Sequence, residues 1–163
     1  GGENRVAFGY YSTGWRKNEA GNWKVVIDLG IATSTIDSDR VEVTVAKLGT
    51  GSFPATNTDE LLDFDEEYVD SLNKRGKSFL KNYFAANALI YRNGTNPFSG
   101  TASFKNIVEE GVNYDFEVVD GEVASSGDLG FTYGLVTIRS NGREKQSLNY
   151  LRTWQIILDV IGR

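Results

Sequence analysis

Cysteine, histidine and methionine are absent from all 163 residues, and proline occurs only twice. Without cysteine there is no disulfide and no thiolate nucleophile. Without histidine the commonest general base and metal ligand is missing, and no Ser–His or Cys–His nucleophile system can be built. No Asp/Glu spacing resembles a calcium loop or a zinc site, and Gly49-Thr50-Gly51 is too short for a phosphate cradle, so neither a metal nor a cofactor is expected. No run approaches the ~20 apolar residues of a membrane-spanning helix. Positive charge is also in deficit. The net charge is −5 and the isoelectric point about 4.8, a balance that repels phosphate backbones and argues against nucleic-acid binding. The densest basic cluster, Lys74, Arg75 and Lys77, reads as the solvated end of a helix. The missing methionine includes the start. Gly1-Gly2 reads as a processing or cloning scar, so the natural N-terminus is expected to lie earlier.

What is present is ordinary globular material, 40% hydrophobic and 24% charged, long enough for one domain and some extra. Gly9 to Trp15 and Trp23 to Ile31 are β-rich runs separated by a polar, Gly-containing segment, which predicts a hairpin with a multi-residue turn. Residues 32–40 read as a connector, and Val41, Val43 and Val45 alternate as in a short strand. Residues 49–57 read as a linker. Thr58 or Asp59 is expected to cap a helix whose apolar face carries Leu61, Leu62, Phe64, Tyr68, Val69 and Leu72. Phe79, Leu80, Tyr83 and Phe84 form a second helical stripe beyond Gly76. Residues 88–91 read as a short strand ended by Asn93-Gly94-Thr95-Asn96-Pro97, and Thr101 as the cap of a third short helix that stops at Gly111. Strands are expected at 114–119, 129–139, 147–155 and 156–161, with Asp120-Gly121 and Asn141-Gly142 as turns. Helices followed by antiparallel strands predict the α+β class.

One pattern occurs twice. Tyr11-Ser12-Thr13-Gly14-Trp15 aligns with Tyr150-Leu151-Arg152-Thr153-Trp154, and Val26-Ile27-Asp28-Leu29 aligns with Ile157-Leu158-Asp159-Val160. The tryptophan-to-aspartate spacing is longer in the first copy by about one hairpin tip. This predicts a tandem repeat, and it predicts that a tip is missing between Gln155 and Ile156, because a single strand from Ser147 to Ile161 would far exceed the typical ~5–6 residues.

The run Ser125-Ser126-Gly127-Asp128-Leu129-Gly130-Phe131-Thr132-Tyr133-Gly134, with Tyr150-Leu151-Arg152-Thr153-Trp154 and Ile156-Ile157-Leu158-Asp159, resembles the C-terminal half of a SnoaL-like domain. Such domains belong to the nuclear transport factor 2-like, or ketosteroid isomerase-like, superfamily. The resemblance covers residues 58–163 as a complete domain. Residues 1–48 resemble only the closing β-hairpin of a preceding copy plus a connector strand. The resemblance implies a curved antiparallel sheet wrapped around N-terminal helices, a cone-shaped, cystatin-like arrangement whose open end holds a ligand or an active site. It also implies a bacterial protein of periplasmic or secreted location.

Tyr91, Phe98, Phe131, Tyr133, Tyr150 and Trp154 fall on elements that would surround such a cone. They either line an aromatic pocket for a small apolar or aromatic ligand, with Tyr hydroxyls orienting it, or are simply core. Asp128 is either a proton-transferring carboxylate or a turn residue bonded to the backbone. Asp159 and Asp28 lie in apolar strands and need partners, with Arg152 a candidate for Asp159. Glu66-Glu67 and Glu109-Glu110 read as solvated helix faces, and Asn93-Gly94-Thr95 fits a glycosylation sequon. No catalytic residue is assigned. The leading expectation is a small-molecule-binding domain with a hydrophobic pocket. An isomerase- or dehydratase-type enzyme using a pocket carboxylate and tyrosines, and a structural module forming a homodimer through the sheet, are the alternatives.

Overall fold

The structure, a computed structural model, describes residues 7–35, 56–75, 82–85, 88–99, 112–140 and 145–156. It has a mixed α+β fold with antiparallel sheets and, among the described residues, one helix. The chain divides into two compact units. One holds residues 1–47 and 85–103, the other residues 48–84 and 104–163. Residues 85–103 thus group with the N-terminal hairpin.

In the first unit, β1 (Phe8–Lys17) pairs antiparallel with β2 (Trp23–Thr33). The connection is built by Asn18, whose backbone exchanges bonds with Asn22 and Gly21 and whose side-chain oxygen accepts from the Asn22 amide at 2.9 Å. Gly21 supplies the positive φ this turn needs, +78°, at little steric cost. One extra residue, Val26, bulges β2 opposite Gly14 and Trp15, which sharpens the local twist. A second small hairpin, β3 (Leu89–Ile90) with β4 (Phe98–Ser99), follows Ala88. Its turn docks on the end of β2: Asn93 Oδ1 accepts from the Ala32 amide at 2.9 Å, and the Gly94 amide donates to the Ala32 carbonyl at 2.8 Å.

In the second unit, α1 (Thr58–Arg75) lies on a three-stranded sheet of β5 (Val112–Val123), β6 (Leu129–Ser140) and β7 (Gln146–Gln155), in the order β5-β6-β7. The cap of α1 is Asn57, one residue ahead of Thr58. Its Oδ1 accepts from the Glu60 amide at 2.9 Å, and Glu60 Oε2 accepts from the Asn57 amide at 3.3 Å. This is a capping box, with the reciprocal bonds satisfying two orphan donors. Leu61, Tyr68 and Leu72 are buried, whereas Phe64 is 42% exposed at the edge of the stripe. Tyr83 and Phe84, expected on a second helix, sit in a turn and pack their rings against Tyr68.

Asp120-Gly121, expected as a turn, is strand. β5 runs through it with a bulge between Val118 and Asp120, because a bulge absorbs one residue without reversing the chain. The reversal comes later, at Ala124–Gly127, where the Gly127 amide donates to the Ala124 carbonyl and Gly127 takes a φ of +76°. β7 ends at Gln155, and the Ile156 amide donates to the Asp128 carbonyl at 2.8 Å. The expected strand at 41–45, the stripe residues Phe79 and Leu80, the helix after Thr101, the Asn141-Gly142 turn and residues 157–161 lie outside the described residues. No described helix is long and apolar enough to cross a membrane.

Candidate functional site

Two places in the molecule concentrate chemistry: the space under α1 in the second unit, and one face of the β1–β2 hairpin in the first.

Cross-strand partners share a face of a sheet. Gly130 pairs with Trp154, Thr132 with Arg152 and Gly134 with Tyr150, so Tyr150, Arg152 and Trp154 all face the helix. The middle of the apolar stripe of α1 is an acid. Asp65 lies four residues after Leu61 and three before Tyr68, and it is fully buried. Burying a carboxylate alone is prohibitive. Arg152 answers it from β7, reaching Asp65 Oδ1 at 2.8 Å and Oδ2 at 2.9 Å, and the Tyr150 hydroxyl donates to Oδ2 at 3.1 Å. The Arg152 guanidinium is itself walled by rings. Its central carbon lies 4.1 Å from the Tyr150 ring centre, 4.5 Å from Phe116 and 4.7 Å from Tyr68. That is an aromatic cage of the sort that binds cations, filled by a cation of the protein's own. Trp154 completes the floor: its indole N–H donates to the fully buried Thr132 hydroxyl at 2.9 Å, and its ring meets Phe64 and Tyr68 edge-on.

The electrostatics follow from this enclosure. Burial pushes the Tyr150 hydroxyl well above its ordinary value. The Arg152 charge opposes that shift, and the Asp65 charge and hydrogen bond add to it. Burial raises the Tyr68 hydroxyl too, again opposed by Arg152 and reinforced by Asp65. Both phenols are held neutral. Both Asp65 oxygens are committed within the fold, so this carboxylate has a structural role.

Asp128 is different. It is 4% exposed, and its Oδ1 has no hydrogen-bond partner among the described residues. The expected side-chain bond to the turn backbone is absent for that atom.

The first unit exposes large apolar side chains on one face of its hairpin. Thr13 pairs with Asp28 and Trp15 with Val25. With Tyr11 they line a shallow groove of about 380 Å³. Tyr11 is 75% exposed, Trp15 57% and Val25 50%. The Thr13 hydroxyl donates to Asp28 Oδ1 at 2.6 Å. At the tip, the Lys17 ammonium lies 5.1 Å from the Trp23 ring centre.

The six aromatics expected to line one pocket are distributed differently. Tyr150 and Trp154 face α1. Phe131 and Tyr133 pair with Thr153 and Leu151, which puts them on the opposite face of the same sheet, as the two-residue period of a strand requires. Tyr91 and Phe98 belong to the first unit. Arg152, considered as a partner for Asp159, is engaged by Asp65, and Asp159 lies outside the described residues. Asp65 itself escaped the sequence reading. Its signal was there: an acid centred in an apolar stripe, and an arginine in an aromatic strand.

No known protein family, no curated protein and no solved structure matches this chain.

Proposed function

We propose that this chain works by binding and not by catalysis, and that it binds an apolar or aromatic group on the Tyr11–Trp15–Val25 face of β1 and β2. The single observation behind this is the contrast between the units. The helix-facing interior of the second is filled by Asp65, Arg152 and their rings, whereas the hairpin exposes three large apolar side chains around a groove. Contiguous exposed apolar surface of this kind marks interaction sites. The resemblance of residues 58–163 to SnoaL-like domains fits enzymes and noncatalytic modules alike, and the cone-shaped arrangement and a periplasmic or secreted location go with it as parts of the same proposal. The test is titration with anilinonaphthalene sulfonate, an apolar aromatic dye. Enhanced dye fluorescence that is lost in a Tyr11→Ser/Trp15→Ser variant supports the reading. Fluorescence unchanged by that double substitution, or no enhancement at all, overturns it.

A second reading rests on Asp128. A buried carboxylate with an unpartnered oxygen calls for a role, and proton abstraction next to a carbonyl, the opening step of isomerase and dehydratase chemistry, is one. Incubating small ketones with the chain in D2O and following deuterium incorporation by NMR tests it. Incorporation abolished by Asp128→Asn favours this reading, and its absence in the parent protein removes it.

A further inference from the structure

Within the first unit, Ala32 holds both members of a reactive pair. Its amide donates to Asn93 Oδ1 at 2.9 Å, and its carbonyl accepts from the Gly94 amide at 2.8 Å. Asn93 Cγ and the Gly94 nitrogen are the two atoms that join when an asparagine cyclises on its own backbone. Glycine in the following position leaves that nitrogen unshielded by any side chain, and both residues are exposed to water. Asn96, close by, is followed by Pro97, whose nitrogen has no proton to lose. The other Asn-Gly pair of the chain, Asn141-Gly142, lies outside the described residues.

The chemistry needs only water. The Gly94 nitrogen loses its proton to solvent hydroxide and forms a bond to Asn93 Cγ. The Cγ–Nδ2 bond breaks, Nδ2 takes up a proton and leaves as ammonia, and a cyclic succinimide remains. Water added across the new N–Cγ bond gives aspartate. Water added across the original peptide C–N bond gives isoaspartate, whose main chain runs through Cβ. In sum an amide and a water become an acid and ammonia, and nothing is oxidised or reduced.

The docked turn opposes the first step. The Gly94 N–H that must be given up is the one bonded to Ala32, and the succinimide nitrogen has no proton to put in its place. Ring closure therefore waits on the turn leaving β2, a local opening that gates the reaction. The two products then part company. Aspartate keeps the Gly94 N–H and an oxygen on Cγ, so it bonds Ala32 at both points again, with a charged acceptor. Isoaspartate inserts a carbon into the main chain ahead of Gly94, and the two bonds to Ala32 no longer fit together. We infer that Asn93 is a site of spontaneous deamidation, that docking on Ala32 sets its rate, and that the isoaspartate product releases the β3–β4 turn from β2.

Incubation of the whole chain at mildly alkaline pH, followed by peptide mapping with mass spectrometry, tests this. The mass gain reads conversion of amide to acid, and chromatographic retention separates the two acids. Asn93 is expected to convert on the order of tenfold more slowly in the folded chain than in guanidinium-unfolded chain, the factor that two net hydrogen bonds supply. Ala32→Pro removes the N–H bonded to Asn93 Oδ1 and should raise the folded rate several-fold, with circular dichroism confirming that the strands remain. Hydrogen exchange followed by NMR gives a readout that does not depend on that variant. The Ala32 amide should be protected in the parent chain and in Asn93→Asp, and should exchange freely in the purified isoaspartate form. No conversion of Asn93 in the folded chain, equal rates in folded and unfolded chain, a folded Ala32→Pro variant no faster than the parent, or an Ala32 amide still protected in the isoaspartate form overturns the inference.

Discussion

Removing the Arg152 side chain leaves the Asp65 carboxylate buried with Tyr150 as its remaining partner among the described residues. An uncompensated buried charge costs about 3–5 kcal/mol, so Arg152→Met should lower unfolding stability by that order in urea denaturation. The joint change Asp65→Leu with Arg152→Met should recover most of the loss, since a buried pair and an apolar pair of similar volume are often close in stability. The raised phenols make a second residue-level prediction. Tyr68 and Tyr150 keep their protons in the fold at pH values where the unfolded chain, with tyrosines near 10, has lost them. The unfolded state then binds fewer protons, so stability is unaffected by these groups below about pH 10 and falls as pH rises above it. Ultraviolet titration of tyrosinate should show two of the eight tyrosines ionising last, together with loss of the fold. Asp65→Asn should bring the Tyr150 transition down, because both the charge and the hydrogen bond of Asp65 hold it up.

At the scale of elements, β6 owes its place under α1 to what two of its residues lack. A Cβ on Gly134 would collide with the Glu117 carbonyl and come within 2.8 Å of the Tyr150 ring, and one on Gly130 would lie 2.6 Å from Leu61 of the helix. Gly134→Ala is therefore expected to destabilise by about 1–3 kcal/mol through overpacking. Gly30→Ala, whose nearest contact is a carbonyl at 3.7 Å, should stay within about 0.5 kcal/mol. Thermal denaturation of the two variants compares them directly. The strands themselves were legible in the sequence, because alternation and β-branched runs report local geometry: β1, β2, β6 and β7 begin or end within a few residues of the predicted spans. The bulge that carries β5 through Asp120-Gly121 was not legible, since Asp-Gly is a turn signal unless the pairing strand on the far side continues, and pairing is non-local. The cap was missed by one residue because Thr58 and Asp59 are also good caps, and only the reciprocal bond of Glu60 to Asn57 selects between them. The Asp65–Arg152 pair spans 87 positions, so nothing in either neighbourhood names the other.

For the whole molecule, the strand pattern that occurs twice predicts a tandem repeat, but it does not predict that residues 85–103 group with the first hairpin. Within that unit, side-chain and backbone bonds join Ala32 to Asn93-Gly94, a contact without periodicity. The two units also differ in how they treat their tryptophans. Trp15 and Trp23 are 57% and 61% exposed on the hairpin, while Trp154 has its N–H occupied by Thr132 and its ring among Phe64 and Tyr68. The three indoles therefore make a built-in optical label for each unit. Iodide should quench the long-wavelength emission of the hairpin pair and leave a blue-shifted residue from Trp154. Stepwise denaturant followed at the two edges of the spectrum would then reveal whether the hairpin melts with the helix-covered sheet or ahead of it, with no dye or tag attached.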